Sequence, residues 1–400
     1  MANLTFMNNT IFDHGASNQL GQVLAMHGIR RPLLCTDKGL VNLGMVTDLV
    51  AHLGNDAALT IFDGTPENPT QMAVEEAVAK YQEAGCDGVV ALGGGSSMDL
   101  AKAVALAVTH EGDLLQYTAG LGGAGKIGTV APLIAIPTTS GTGSEVSSGA
   151  VIIMNNGEKL ILASRNLVPM TSICDPSLTL GLPPRLTAAT GMDAITHCIE
   201  ALLSPQINPP AEAVACDGIE RGIREGNLVK AVKDGSDEDA RWHMMMAAAE
   251  GAMAFSKGLG SVHSMSHACG ADQSLRLHHG TLNAVILPTI LDFNRDHVGD
   301  KYTRLNAAMG IDASADPAEF IRELNAEIGL PANLGEMGVQ KDAIADLSTF
   351  GEDNKAAEDA LKAEMNAAIT IALGDLAERT KQLEERRASL PTADGFGDLQ

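Results

Sequence analysis

The feature that most limits the folds open to this chain is a change of pattern at Leu182-Pro183-Pro184. Before it, the short apolar runs RPLLCTD, AALTIFD, GVVALGG and LIAIPTT are bounded by Gly, Pro, Asp or Thr and alternate with helical stretches. Such alternation predicts an α/β fold with a mostly parallel sheet and crossover helices. After it, Ala, Met, Leu and Glu recur at helical spacing through TAATGMDAITHCIEALL, DARWHMMMAAAEGAMAF and AAEDALKAEMNAAITIALGDLAERTKQLEERR, which predicts an all-α second half. With 400 residues, the chain exceeds the roughly 250–300 that one core usually serves. Two domains are therefore expected, 1–183 and 184–400. The Met244-Met245-Met246 run and Trp242 read as core filling.

Charge narrows the partners. With 27 basic and 50 acidic residues the formal net charge is −23, which repels phosphate backbones and anionic membrane surfaces and speaks against nucleic acid as a partner. Much of the acidity falls in runs such as GEDNKAAEDALKAE, which read as solvated helix faces. Cys35, Cys86, Cys174, Cys198, Cys216 and Cys269 form no CxxC pair and mostly sit among apolar neighbours, as reduced thiols of a cytoplasmic protein do. No window reaches the roughly 18 uninterrupted apolar residues of a membrane span, and the N-terminus carries no export signal.

Two loops follow apolar runs in a manner suited to nucleotide binding. GVVAL leads into GGGSSMDLAKAVAL, so glycines end a strand where an amphipathic helix begins. A helix N-terminus presents free N–H groups and the positive end of a dipole, so Gly94, Gly95, Ser96 and Ser97 form a candidate diphosphate cradle. The turn is not the GxGxxG fingerprint, and a glycine turn at a strand end is often only a turn. The second loop, PTTSGTGSE, follows LIAI and gathers Thr138, Thr139, Ser140, Thr142 and Ser144 at what would be the same sheet edge. Asp37, after LLCT, would accept from an adenosine ribose and repel a 2′-phosphate, favouring NAD over NADP; a helix N-cap role fits it equally well.

In the second half, Asp193 and His197 are spaced i,i+4, on one face of a predicted helix, and His263 and His279 bracket SVHSMSHACGADQSLRLHHG. Four of the eleven histidines, His263, His267, His278 and His279, fall between Gly260 and Asn283. A lone histidine is usually a surface or hydrogen-bonded core residue, but clustering of this kind calls for another explanation. Three imidazoles with one carboxylate suit Fe²⁺ or Zn²⁺ better than Mg²⁺ or Ca²⁺.

Taken together, GGGSSMDLAKA, PTTSGTGSEVSSGAVI, GMDAITHCIEALLSP and GLGSVHSMSHACGA…LHHGTLNAVILP resemble, in order and over most of the chain, the iron-containing (group III) alcohol dehydrogenases. The resemblance implies an NAD-binding α/β domain (1–183), a helical metal-binding domain (184–400), a cleft between them holding NAD and metal, and at least a homodimer. It implies Asp193, His197, His263 and His279 as ligands and His267 beside the substrate. It implies cofactor contacts from Asp37, Asn68, Gly94, Gly95, Ser96, Asp99, Thr138, Thr139, Thr142 and Lys159. The last ligand lies 279 − 263 = 16 residues beyond His263, further than the family's usual spacing of about fourteen, so His278 competes with His279.

The expected reaction is hydride transfer between a primary alcohol, or its aldehyde, and NAD. A bound Fe²⁺ or Zn²⁺ would acidify the hydroxyl, as zinc lowers the pKa of water from about 15.7 to about 7, and His267 would relay the proton. Lys257 and Arg276 flank the histidine cluster, where a cation would pair with a substrate carboxylate; exposed positions fit them as well. Alternative readings are an ω-hydroxy acid dehydrogenase acting on a substrate such as 4-hydroxybutyrate, and a non-redox NAD and metal enzyme of the dehydroquinate synthase type.

Overall fold

The structure is a computed structural model that describes residues 8–53, 58–270 and 277–339. Its first half contains strands β1 (Asn9–Phe12), β2 (Pro32–Cys35), β3 (Thr60–Phe62), β4 (Gly88–Gly93), β5 (Leu133–Pro137), β6 (Gly149–Ile153), β7 (Lys159–Ala163) and β8 (Thr171–Cys174). Six of them make one sheet in the order β1-β8-β5-β4-β2-β3, with every neighbouring pair parallel. Helices α1 (Leu20–Met26), α2 (Lys38–Asn42), α3 (Met45–Val50), α4 (Gln71–Glu83) and α5 (Gly95–Ala107) cover it.

Side-chain alternation along the strands builds two cores, one per face. Leu33, Cys35, Val89 and Ala91 meet α4 and α5 on one side. Leu34, Val90, Leu92, Ile134 and Ile136 meet α1 and α3 on the other. The chain thus leaves β2 towards one face and its neighbour β4 towards the other, opening a crevice at the carboxyl edge where such sheets bind ligands.

The expected strands are all present, and four more were not anticipated. β1 (NTIF) and β8 (TSIC) are four-residue strands with half their residues polar. β6 and β7 form an antiparallel hairpin, for which Asn155-Asn156-Gly157 between VIIM and KLILA was an available signal. Gly157 takes φ +89° in its turn, a backbone region that favours glycine.

Among the described residues, everything after Pro183 that is regular is helical: α6 (Pro184–Leu203), α7 (Pro209–Ile219), α8 (Asn227–Lys233), α9 (Glu238–Ala254), α10 (Ser261–Cys269), α11 (His279–Asn294), α12 (Lys301–Met309) and α13 (Pro317–Glu327), with a π-helical turn at Glu220–Arg224. The helical expectation for AAEDALKAEMNAAITIALGDLAERTKQLEERR lies outside the described residues. Pro184 starts α6 at the position where a missing N–H costs nothing. Every residue from Thr187 to Leu203 is buried, so α6 is the axis around which α7, α8, α9 and α11 pack. Met244 and Met245 fill the core as expected, while Trp242 reaches the sheet half, its ring 5.0 Å from Phe12. All six cysteines are unpaired and four are buried. No helix among the described residues is long and apolar enough to cross a membrane.

Buried Asp175, just past β8, clamps the start of the chain. It accepts from the backbone N–H of Gly15 and Ser17 (both 3.0 Å), from Ser17 Oγ (2.6 Å) and from the N–H of Ser177 (3.0 Å). Burial alone would raise its pKa, but these donors outweigh it and hold the carboxyl below its usual value. A carboxylate with a depressed folded pKa stabilises the fold above the unfolded value, and that contribution is lost as pH falls through the folded one. Asp175→Asn should destabilise the protein at pH 7 by roughly 1.5–3 kcal/mol. The gap from wild type should close below about pH 4; denaturation midpoints measured across that range check both.

Candidate metal and cofactor site

Three helices converge on one buried point. From α6 come Asp193, His197 and Glu200 at i, i+4 and i+7; from α10, His263 and His267; from α11, His279 and Asn283. Glycines permit the approach. A Cβ on Gly280 would meet the Ala189 carbonyl of α6, and one on Gly251 of α9 would lie 3.0 Å from His197 Cβ.

Ligand atoms of Asp193, His197 and His263 all lie within 4.8 Å of one another. His279 adds a fourth donor, its Nε2 3.5 Å from Asp193 Oδ1, and His263 Nε2 is 3.6 Å from the same oxygen. The rings of His197 and His263 stack at 4.3 Å. His278 stands apart at the N-cap of α11, with Nδ1 3.5 Å from Thr281 Oγ1, so geometry favours its neighbour as the fourth donor. His267 lies on the rim, ring centres 5.0 Å from His279 and 6.3 Å from His263.

The ionisation pattern follows from burial and neighbours. Desolvation would raise the pKa of Asp193, but His197, His279 and His263 hold it well below the carboxylate range. Desolvation pushes His197 down to about 4 and His267 down to about 3, and holds His279 well below its ordinary value, so these rings are neutral with lone pairs available. Burial would also lower His263, but hydrogen bonds to Asp193 and Glu200 push it up to about 9. His197 Nδ1 and Asn283 Oδ1 are buried without hydrogen-bond partners among the described residues. One carboxylate, three imidazoles and orphaned polar atoms make a poor self-contained core, and the donor set fits Fe²⁺ or Zn²⁺.

Two residues here escaped the sequence reading. Glu200 Oε2 accepts from His263 Nδ1 at 2.6 Å. Its i+7 relation to Asp193 on one helix face was the signal that could have found it. Asn283 Nδ2 donates to Asp193 Oδ1 at 2.7 Å and lies 3.1 and 3.2 Å from Nε2 of His263 and His279. It sits i+4 from His279.

The proposed cofactor residues gather at the carboxyl edge of the sheet. Gly93 ends β4 at φ +148°, Gly94 caps α5, and the Thr138 N–H donates to the Gly93 carbonyl at 2.9 Å, tying the two loops together. A Cβ on Gly95 would lie 2.7 Å from Thr142 Cγ2, and one on Gly94 would be 3.3 Å from Thr139 Oγ1. Ser96 Oγ donates to the Glu67 carbonyl. Lys159 Nζ donates to Asn68 Oδ1 at 3.1 Å. Asp37 caps α2 through Leu40 N at 3.0 Å, the capping role foreseen for it. Asp99 has both oxygens engaged inside the fold, by Ser144 Oγ at 2.8 Å and Val151 N at 2.9 Å, so it braces the second loop.

That loop joins the two halves. A Cβ on Gly141 would sit 2.9 Å from Thr190 Cβ on α6, and Val146 packs against Ala249 and Ala252 of α9. Lys159 is close enough to His267 for its charge to help keep that ring neutral. The sheet edge therefore faces the carboxylate and imidazole cluster.

Lys257 is a correction. Its ammonium is fully buried, donates to the carbonyls of Ala201, Leu202 and Ser204 (2.9–3.1 Å) and pairs with Glu212 Oε1 at 2.9 Å. It neutralises the carbonyl end of α6 and has no donor left for a substrate carboxylate. Arg276, the other cation considered, lies outside the described residues.

Comparison with known proteins agrees with this architecture. Residues 8–176 match iron-containing alcohol dehydrogenase and residues 187–373 match the Fe-containing alcohol dehydrogenase family, C-terminal. The 4-hydroxybutyrate dehydrogenase of Cupriavidus necator is 50% identical over 350 residues, 86% of this chain and 91% of that protein. A crystal structure of 1,3-propanediol oxidoreductase superposes with a TM-score of 0.82 at 33% identity, covering 92% of this chain and 100% of the other. Sulfoacetaldehyde reductase from Bifidobacterium kashiwanohense, solved in complex with NAD⁺, gives 0.80 at 25% identity, covering 92% and 99%. The chain belongs to the iron-containing alcohol dehydrogenase family, and it is an oxidoreductase.

Two substitutions separate ligand from scaffold. His263→Ala should bring bound metal, measured by elemental analysis, to background; full retention would remove His263 from the ligand set. Lys257→Ala leaves Glu212 to Arg304 and the end of α6 to Lys301, so it should cost about 1–3 kcal/mol of stability. It should leave the ratio of 4-hydroxybutyrate to 1-butanol turnover unchanged, and a selective loss of the acid would restore Lys257 as a substrate contact.

Proposed function

We propose that the chain transfers hydride between the primary hydroxyl of a short alcohol and NAD, with Asp193, His197, His263 and His279 holding one divalent cation. The observation that carries this reading is the buried carboxylate and imidazole cluster facing the glycine and threonine loops of the sheet edge. When bound, the cation supplies the Lewis acidity that makes an alcohol hydroxyl acidic, and the dinucleotide supplies the hydride acceptor. The protein's own residues do the rest. Gly94, Gly95, Ser96, Thr138, Thr139 and Thr142 line the dinucleotide's binding edge, with Asn68 and Lys159 beside them. Asp37 disfavours a 2′-phosphate and so selects NAD. His267, on the rim beside His263 and His279, is placed to relay the hydroxyl proton.

The 50% identity to a 4-hydroxybutyrate dehydrogenase supports an ω-hydroxy acid as the particular alcohol. With Lys257 engaged elsewhere, the carboxylate of such a substrate is met by other groups. Fe²⁺ is preferred over Zn²⁺ on the strength of the family, since ligand affinity alone favours zinc. Residues 1–183 are read as the NAD-binding domain and 184–400 as the metal-binding domain, in a homodimer or larger homo-oligomer. The six unpaired cysteines support a cytoplasmic location.

Anaerobically purified protein should contain iron and should raise absorbance at 340 nm with NAD and 4-hydroxybutyrate, faster than with 1-butanol and faster than with NADP. No signal with any alcohol or aldehyde would overturn the redox assignment in favour of non-redox chemistry of the dehydroquinate synthase type.

A further inference from the structure

We propose that Glu200 is the positioning residue of the metal centre: its carboxylate fixes His263 in the tautomer that presents Nε2 to the cation, and anchors the first turn of α10 that carries the ring. The inference rests on the reading of His263 as a ligand.

Glu200 is buried, and each of its oxygens has one task. Oε1 accepts from the Val262 N–H at 2.7 Å and Oε2 from His263 Nδ1 at 2.6 Å. Val262 is the second residue of α10, so the first bond satisfies one of the open N–H groups at a helix start. The second bond is a short one between a carboxylate and an imidazole, and it requires a proton on Nδ1. That leaves the Nε2 lone pair free on the side of Asp193, 3.6 Å away. Nε2 also lies 3.1 Å from the Asn283 amide nitrogen, whose two N–H groups are shared among Asp193, His263 and His279.

The surrounding backbone is shaped to this carboxylate. A Cβ on Gly260 would lie 2.8 Å from Glu200 Oε1, so the residue before α10 is one that clears the acid. Glu200 shares its helix face with Asp193 and His197, so α6 supplies two ligands and the support of a third. Carboxylates behind metal-bound histidines orient the ring and raise its basicity, and their loss commonly costs ten- to a hundredfold in metal affinity.

Glu200→Gln separates this role from helix capping. The glutamine oxygen can still accept from Val262, but its NH₂ then faces Nδ1 as a donor and drives the proton to Nε2, where it blocks coordination. Zn²⁺ affinity of the full chain, measured by competition with a chelator, should fall about 10- to 100-fold in Glu200→Gln, while circular dichroism of the metal-free protein stays that of wild type. In zinc-loaded, ¹⁵N-histidine-labelled protein, wild type should show one strongly downfield, exchange-protected ring N–H that Glu200→Gln loses and Glu200→Asp shifts or weakens. The proposal is overturned if Glu200→Gln binds zinc within about twofold of wild type. It is equally overturned if wild-type protein binds zinc and lacks that resonance, a result that needs no variant to fold. Failure of wild type to bind any divalent cation would instead sink the ligand assignment itself.

Discussion

The rest of the structure depends on α6 being buried along its length while carrying charge. Seventeen consecutive residues, Thr187 to Leu203, have no exposed face, yet Asp193, His197 and Glu200 lie among them. A charged group without partners in such a place costs several kcal/mol, so the helices around α6 must bring compensation. α10 brings His263 and α11 brings His279 and Asn283. Lys257, in the turn between α9 and α10, closes the carbonyl end of α6 with the same economy, contacting three carbonyls and Glu212. The bundle is arranged around the polar demands of one helix as much as around its apolar surface.

The sheet half meets this bundle through backbone at very short range. Gly141 lies against Thr190 of α6 and Gly143 against Ala248 and Ala252 of α9, distances at which a side chain on the loop would not fit. The loop is braced from behind. Buried Lys102 donates to Ser144 Oγ, to the hydroxyl and carbonyl of Ser147 and to the Gly149 carbonyl, at 2.7–3.0 Å, and Asp99 accepts from Ser144 and Val151. One helix, α5, therefore presents its N-terminus to the crevice and holds the neighbouring loop through Asp99 and Lys102, in its second and third turns. Burial lowers Lys102 to about 8, so it keeps most of its charge at pH 7 and can serve as this brace.

What could be read from the residues was what local pattern encodes. Strands β2, β3, β4 and β5 are apolar runs with turn residues at each end, and α6 declares its metal face through an i,i+4 pair. The family likeness rests on motifs of that local kind. β1 and β8 went unread, since NTIF and TSIC are half polar and are strands only through pairing with each other and with β5. Glu200 and Asn283 were passed over because a lone Glu or Asn on a helix is ordinary, and their meaning lies in distances across helices. Lys257 was misjudged for the opposite reason: proximity in sequence to a histidine cluster suggested a shared pocket, whereas the chain reverses at Gly258 and sends the ammonium to the far end of α6.

Charge balance explains why the cluster belongs on helices and the cofactor residues on loops. Among the cluster's rings, those of His197, His267 and His279 are driven neutral by burial, and only His263 is pushed towards the charged form, by the two carboxylates that flank it. A divalent ion held by these residues would take the place of that proton beside Asp193, which demands donors held to fractions of an ångström by packed helices. A dinucleotide asks for something else, a run of N–H groups and hydroxyls along an extended ligand, which glycine turns at a sheet edge supply with little side-chain bulk. Hydride transfer from a substrate carbon to a dinucleotide requires the cluster and the sheet edge to be held rigidly relative to each other, and the 138–146 loop, wedged by Gly141 and Gly143 between sheet edge, α6 and α9, is the part of the fold placed to do so.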